Sequence, residues 1–286
     1  MKRHLIITNE SGESVDLYTD PGIRLVSIDD IGFECGVNST NAHGYDGELY
    51  QSSQVAVKMP SVIVRYIGPT WKHEQHKKRL TNLVASKQLI KLRYVTENID
   101  VYIEGRAQRV TTPPNVRPMN TQIVIKCTDP YWKVSGDNTA VIAGTKPCFK
   151  FPIRIPSTGM IFGSIKSALI TEINNEGTAD SGAIFTITAI SKCTNPKLEN
   201  IDTGEFIQVT ASMEAGDKLI INTNWDSKSI KFIHDNVTTN YFNFRVSGST
   251  YLQVRQGINR FKYTVDEGDE HAVEITCKYD TKYGGI

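Results

Sequence analysis

Two histidines in the segment His-Glu-Gln-His, His73 and His76, are the best candidates for metal ligands. A zinc-binding helix needs two histidines four positions apart, so that both face one side, and a third ligand nearby. Here the two histidines are three positions apart, and no third ligand lies close in the sequence. The pattern therefore favours a solvated helix face, and we expect neither a metal site nor a cofactor.

Adjacent carboxylates are the second candidate for chemistry, because a β-sandwich can carry a glycosidase site. They occur at residues 29–30 and at Asp266, Glu267, Asp269 and Glu270, each time in or beside a turn signal. A catalytic pair must instead face each other across a cleft, with the pKa of one group raised by burial. The usual hydrolase and phosphate-binding motifs are also missing from the sequence. We therefore expect no catalytic residues and no enzyme, and a glycosidase is the third-ranked hypothesis.

Trp225 is the most informative single aromatic residue, because it lies between two polar residues, Asn224 and Asp226. A tryptophan at a strand end or in a loop can stack on the apolar face of a sugar ring. The competing interpretation is a core or interface tryptophan. Trp225 is thus a candidate glycan contact, and a lectin-like carbohydrate-binding β-sandwich is the alternative function.

Composition narrows the class of protein. The chain has 286 residues, of which 39% are hydrophobic, and its 32 basic and 31 acidic residues give a net charge of +1. This balance excludes intrinsic disorder and argues against dedicated binding to duplex nucleic acid. The short basic cluster at residues 77–79 lacks interleaved aromatic residues, so it is interpreted as a solvated helix face.

The five cysteines are far apart, odd in number and free of C-x-x-C spacing. We expect reduced thiols, with Cys127 and Cys277 acting as small buried hydrophobic residues on strands. The apolar stretch that follows the basic start is only three residues long, too short for a secretory signal. These patterns predict a protein that is made in a cytoplasm.

Alternation of apolar and polar residues predicts mainly β structure. The period of two is clear at residues 123–127, 185–188, 242–246, 261–265 and 273–279, and turn residues separate these segments. One segment differs: residues 71–86 follow Thr70, a suitable N-cap, and place Leu80, Leu83 and Val84 at helical spacing. The sequence therefore predicts antiparallel sheets with one helix.

A change from strand-like to polar sequence near the middle of the chain predicts two domains. A strand at residues 123–127 runs into Asp129, Pro130 and Trp132, and polar residues follow. We expect an α+β domain at residues 1–133, a β-sandwich or barrel with one helix. A linker at residues 134–147 would lead to an all-β sandwich at residues 148–286.

The order of these elements and several motifs resemble a known family. The most specific motif is CTDPYW at residues 127–132, at the end of the first domain. Weaker similarities occur in order along the chain, at residues 27–32, 43–47, 102–105, 113–114, 149–152, 174–177, 202–205 and 257–259. Together they resemble the distal tail proteins of long-tailed phages.

That resemblance implies a structural protein of the virion tail tip, assembled in the host cytoplasm, with a galectin-like second domain. Six copies would form a ring through which DNA passes. The expected partners are the tail tube protein, the tape measure protein, the tail-associated hub or lysin protein and a receptor-binding protein, with no membrane. Residues 43–53 make a poor core segment, so we expect an inter-subunit loop there. Tyr45, Asp46, Tyr50 and Trp71 are its candidate contacts.

Overall fold

The structure is a computed structural model, which describes residues 3–41, 43–44, 46–113, 118–136, 138–147, 163–166, 170–267 and 273–286. The chain forms two compact units, which are described separately. The first unit contains Met1–Ser135 and Lys282–Ile286, and the second contains Gly136–Thr281. In the described part of the chain, no helix is long and apolar enough to cross a membrane.

The described elements are short strands with one α-helix. Up to residue 135 they are β1 (His4–Asn9), β2 (Ser14–Asp16), β3 (Ile23–Asp29), β4 (Cys35–Asn41), β5 (Glu48–Val55), β6 (Ser61–Tyr66), α1 (Thr70–Leu83), β7 (Leu89–Val95), β8 (Asp100–Thr111), β9 (Asn120–Lys126) and β10 (Trp132–Val134). Then come β11 (Asn138–Pro147), β12 (Gly163–Lys166), β13 (Ile170–Asn175), β14 (Ser181–Ala189), β15 (Cys193–Thr194), β16 (Lys197–Asn200), β17 (Phe206–Gln208) and β18 (Ser212–Met213). The chain ends with β19 (Lys218–Asn222), β20 (Ser229–His234), β21 (Val237–Asn240), a 3₁₀ turn (Phe242–Phe244), β22 (Gln253–Val254), β23 (Gly257–Thr264), β24 (Val273–Tyr279) and β25 (Lys282–Tyr283).

The first unit is built on one antiparallel sheet with the strand order β2-β1-β7-β8-β9-β6-β3, and β10 and β25 extend it beside β8. Alternate residues of these strands point into one core, as a period of two requires. Helix α1 contributes Leu80 and Leu83 to that core, and Val84 follows them. The predicted helix and its apolar face are therefore confirmed, although the N-cap is Pro69 rather than Thr70.

The CTDPYW motif anchors the chain where it leaves this unit. Trp132 is fully buried, and its indole N–H donates a hydrogen bond to the carbonyl oxygen of Ile31 at 3.2 Å. The Asp129 carboxylate lies 3.3 Å from the Lys133 ammonium and 3.2 Å from that of Lys282. Lys133 lies on β10, where the chain leaves the first unit, and Lys282 lies on β25, where the chain returns to it. Asp129 therefore links these two strands.

The second unit is a sandwich of two main sheets. The larger sheet has the order β12-β11-β24-β14-β19-β20-β21, with β22 beside β14, and the smaller one has the order β13-β23-β16-β17. Phe185 of the larger sheet and Phe261 of the smaller one meet edge to face, with ring centroids 5.6 Å apart. Their contact lies within a single hydrophobic core. The predicted mainly β fold with one helix is confirmed.

Two expectations about this half differ from the structure. Residues 138–147, which we expected in a linker, form β11 and pair with β24, while Lys282–Ile286 belong to the first unit. Residues 242–246 were predicted as a strand, but Phe242–Phe244 form a 3₁₀ turn. The side-chain oxygen of Asn240 accepts a hydrogen bond from the Phe242 N–H at 3.0 Å, which favours a turn over an extended chain. The motif at residues 149–152 lies outside the described residues.

Candidate functional site

The hairpin of β4 and β5 is the most unusual surface of the first unit. Its strands pair with each other from Cys35↔Val55 to Asn41↔Glu48, and they form a separate two-stranded sheet. Gly44 and Gly47 adopt positive φ angles of 85° and 92° in the connection, where other residues would be strained. The hairpin therefore carries two outer strand edges whose backbone groups can pair with another chain.

Both faces of this hairpin are exposed to solvent. Tyr50 is 65% exposed and Leu49 is 59% exposed, and Val37 on the other strand is exposed as well. Polar cross-strand contacts hold the hairpin together, such as that of the Asn38 amide with the Ser52 hydroxyl at 3.1 Å. An isolated two-stranded hairpin is only marginally stable in water, so this segment is suited to packing against a partner.

The structure places three of the four predicted contact residues. Asp46 lies exposed in the connection of the hairpin, and Tyr50 lies on β5, so most of residues 43–53 form a hairpin rather than a loop. Trp71 is exposed at the start of α1, where the Lys72 ammonium lies 5.0 Å from its ring centroid. The Tyr50 hydroxyl contacts Ser53 at 2.8 Å, within its own strand. Tyr45 lies outside the described residues.

Trp225 is 79% exposed in the second unit, so it is not a core residue. The Lys228 ammonium lies 4.0 Å from the centroid of its ring and 5.3 Å from that of Tyr251. Arg245 also lies over Tyr251, with its guanidinium carbon 5.3 Å from the ring centroid. Such contacts hold a cation near aromatic faces without neutralising its charge.

Beside Lys228 there is a surface depression of about 290 Å³. Its six lining residues are Lys228, Ser229, Lys231, Thr238, Asn240 and Phe242. Sequence patterns do not reveal it, because its residues lie on β20, on β21 or just beside them and meet only through the register of the hairpin. We call these six residues the β20–β21 depression.

The two histidines considered as metal ligands, His73 and His76, contact other parts of the first unit. The His73 ring contacts the Gly68 carbonyl oxygen at 3.1 Å, and the His76 ring occupies the space that a side chain at position 22 would need. Among the residues that the structure describes, no cluster of three metal-binding side chains occurs. These two histidines thus pack against backbone.

Two of the predicted acidic candidates, Asp266 and Asp30, form hydrogen bonds within the fold. The Asp266 carboxylate accepts hydrogen bonds from Asn195 at 2.9 Å and from Gln208 at 3.4 Å. Asp30 accepts a hydrogen bond from the Met59 N–H at 2.6 Å. Asp269 and Glu270 lie outside the described residues. The carboxylates of Asp266 and Asp30 thus hold turns and loops in place.

Arg79, in the basic cluster on α1, is a structural residue rather than a phosphate ligand. Its guanidinium lies 2.8 Å from the carboxylate of Asp20, which is buried. The same carboxylate also accepts hydrogen bonds from the backbone N–H groups of Gly22 and Ile23. Cys127 and Cys277 are buried, as expected: burial raises the pKa of the Cys127 thiol to about 12 and raises that of Cys277.

Comparison with known proteins assigns the class. Residues 176–283 match the family model for the C-terminal domain of the siphovirus-type tail component. No curated protein matches the sequence. Most of the second unit is therefore similar to a phage tail domain.

Solved structures extend this likeness to the whole chain. The crystal structure of the Dit protein of phage SPP1, described as a paradigm of the hub adsorption apparatus in phages that infect Gram-positive bacteria, has a TM-score of 0.69. It shares 11% identity, covering 97% of this chain and 98% of that one. The baseplate of phage P2 in its activated conformation with calcium has a TM-score of 0.56 at 14% identity, and with strontium 0.56 at 13%, each covering 100% of both chains.

The resemblance drawn from the sequence is thus confirmed. The chain has the fold of a phage distal tail protein, and residues 176–283 match the C-terminal domain of siphovirus-type tail components.

Proposed function

We propose that this chain is the distal tail protein of a tailed phage or prophage and that it acts by assembly, without catalysis. Six copies form a ring at the tip of the tail tube, and DNA passes through the lumen. The β4–β5 hairpin is the observation that carries this proposal, because its exposed apolar residues and free strand edges require a partner. A ring closes when unlike surfaces of identical subunits meet at a constant rotation.

In this proposal the hairpin of each subunit lies against its neighbour in the ring. Its free edges add a strand pairing to the neighbour, and Tyr50 and Leu49 become buried. Tyr45, Asp46 and Trp71 add contacts. The ring is joined to the tail tube and tape measure proteins on one side and to the tail-associated hub or lysin protein on the other. The second unit, as a galectin-like domain, holds a receptor-binding protein.

The location that follows from this role is the tip of the virion tail. Assembly takes place in the cytoplasm of the bacterial host, and neither a membrane nor a cofactor takes part. DNA is a transient partner, and a net charge of +1 suits a channel that must not hold phosphate groups.

Native mass spectrometry of the full chain tests the ring. We expect a hexamer for the wild type and mainly monomers for the double variant Leu49→Asp and Tyr50→Asp, because two carboxylates would become buried in the interface. Ile258→Asp is the matched control, since Ile258 is 64% exposed but lies on β23 of the second unit. A monomeric wild type at high protein concentration would contradict the ring. A hexameric double variant would contradict the role of the hairpin.

A further inference from the structure

We propose that the β20–β21 depression binds a saccharide that carries an anionic group, a phosphate or a carboxylate. This inference does not depend on ring assembly, because it rests on a surface of the second unit alone. It also differs from the glycan contact expected at Trp225, since the ligand site lies among other residues.

The fold fixes the arrangement of the lining residues. Asp235 and Asn236 both have positive φ angles, as a two-residue hairpin connection requires, and they set the register of β20 against β21. Lys231 then lies directly opposite Asn240. Because the neighbours of Lys231 on β20, Ile230 and Phe232, point into the core, Lys231 must point to solvent.

The charge of the lining residues favours an anionic ligand. In the part of the chain that the structure describes, neither Lys228 nor Lys231 is paired with a carboxylate, and the lining contains no acidic residue. Lys228 is held over the rings of Trp225 and Tyr251, so its ammonium is positioned at the rim before any ligand binds. Two positioned ammonium groups without counterions favour an anion, through charge-assisted hydrogen bonds.

The remaining lining residues favour a sugar over a simple anion. Phe242 supplies an exposed aromatic surface, on which the C–H face of a pyranose can pack. The hydroxyl groups of Ser229 and Thr238 and the amide N–H₂ of Asn240 have no hydrogen-bond partner among the described residues, so they are available to sugar hydroxyl groups. A volume of about 290 Å³ suits one or two saccharide units.

Calorimetric titration of the full chain tests the site with four probes: glucose 6-phosphate, glucuronic acid, glucose and inorganic phosphate. We expect the two anionic sugars to bind more tightly than either glucose or inorganic phosphate, and the stronger of the two identifies the anionic group. Equal binding of inorganic phosphate and glucose 6-phosphate would overturn the saccharide part of the proposal. A lack of binding by both anionic sugars at millimolar concentration would overturn the whole proposal.

Variants then locate the site. Lys231→Gln should weaken binding of the anionic sugar about tenfold, as expected for loss of one charge-assisted hydrogen bond. Phe242→Ala should weaken binding of the sugar more than that of inorganic phosphate. Lys192→Gln is the matched control, because Lys192 is an exposed lysine of the same unit outside the depression. Unchanged affinity in folded Lys231→Gln, judged by circular dichroism, would overturn the assignment. Binding of an acidic peptide at this site, with no binding of the anionic sugars, would also overturn the assignment.

Discussion

The Lys58 ammonium donates a hydrogen bond to the carbonyl oxygen of Gly284 at 2.6 Å, although the two residues are 226 positions apart. The same ammonium donates to the Gly32 carbonyl oxygen and lies 5.9 Å from the ring centroid of Trp132. Burial lowers the pKa of Lys58. One buried cation therefore joins the last residues of the chain to the segment that precedes the β4–β5 hairpin.

Lys58→Met should destabilise the first unit by about 1–3 kcal/mol, because two carbonyl oxygens lose their donor. Hydrogen exchange at residues 282–286 should rise, while exchange in the second unit should stay the same. Urea denaturation and hydrogen-exchange mass spectrometry measure the two effects. Lys72→Met, at an exposed position on α1, is the control, and an equal loss of stability there would contradict the role of Lys58.

Trp132→Phe should lower the free energy of unfolding by about 1–3 kcal/mol, because it removes the hydrogen bond to Ile31 and leaves space in the core. Trp71→Phe, at the exposed start of α1, should change it by no more than about 0.5 kcal/mol. Chemical denaturation followed by circular dichroism makes the comparison. Similar values for the two variants would show that the CTDPYW motif does not depend on its tryptophan.

Gly105→Ala should destabilise the first unit by about 1–3 kcal/mol. A Cβ atom at this position would lie 2.6 Å from the carbonyl oxygen of Lys126 and 2.8 Å from the Cys127 sulfur, so the strands β8 and β9 would have to separate. Gly36→Ala is a control with the same chemical change, because its nearest atom would be 3.8 Å away. A melting temperature of Gly105→Ala equal to that of Gly36→Ala would contradict this close approach.

Arg79→Met should destabilise the first unit by about 1–3 kcal/mol, because the buried carboxylate of Asp20 loses its charged donor. Lys78→Met removes a neighbouring positive charge on the exposed side of α1 and should have little effect. Thermal unfolding at low ionic strength measures both. If both variants lost stability equally, general charge on α1 would matter rather than the pair with Asp20.

His234 should make the stability of the second unit depend on pH. Its Nδ1 lies 2.7 Å from the buried carboxylate of Asp217, and this hydrogen bond, with Asp235 and Glu214 nearby, raises the pKa of His234. A raised pKa in the folded state gives stability that is complete below the ordinary pKa of histidine and is lost as the pH rises through the folded value. The melting temperature of the wild type should therefore exceed that of His234→Gln most at acidic pH.

The control for this pH series is Val237→Ala, which changes the residue opposite His234 without removing a titratable group. The difference between this variant and the wild type should stay constant with pH. A difference between His234→Gln and the wild type that is constant, or that grows towards alkaline pH, would contradict the prediction.

Sequence periodicity correctly predicted the strands and the helix that bury one face. The alternation around Phe185 and Cys277 and the helical spacing of Leu80 and Leu83 correctly marked strands and the helix, because burial on one face leaves a period in the sequence. The β4–β5 hairpin left no such period, since both of its faces are exposed. The same alternation misled at Phe242, where a hydrogen bond from the Phe242 N–H to the Asn240 side-chain oxygen favours a turn.

Long-range relationships could not be predicted in this way. The approach of Lys58 to Gly284 and the pairing of β10 with β25 depend on residues more than a hundred positions apart. The β20–β21 depression depends on which residues of two strands come to lie opposite each other. The sequence singled out Trp225 as a candidate contact, but only the fold shows that Lys228 lies over its ring.

The pairing of β10 with β25 has a consequence for how this protein can change. The chain leaves the first unit on one strand and re-enters it on the adjacent one, about 4.8 Å away. Because the two strands are adjacent, a change in the intervening segment that keeps its two ends at that spacing does not require a change in the strand order of the first unit. Recombination within the phage family can therefore replace, enlarge or remove the segment between β10 and β25 while the first unit keeps its sheet.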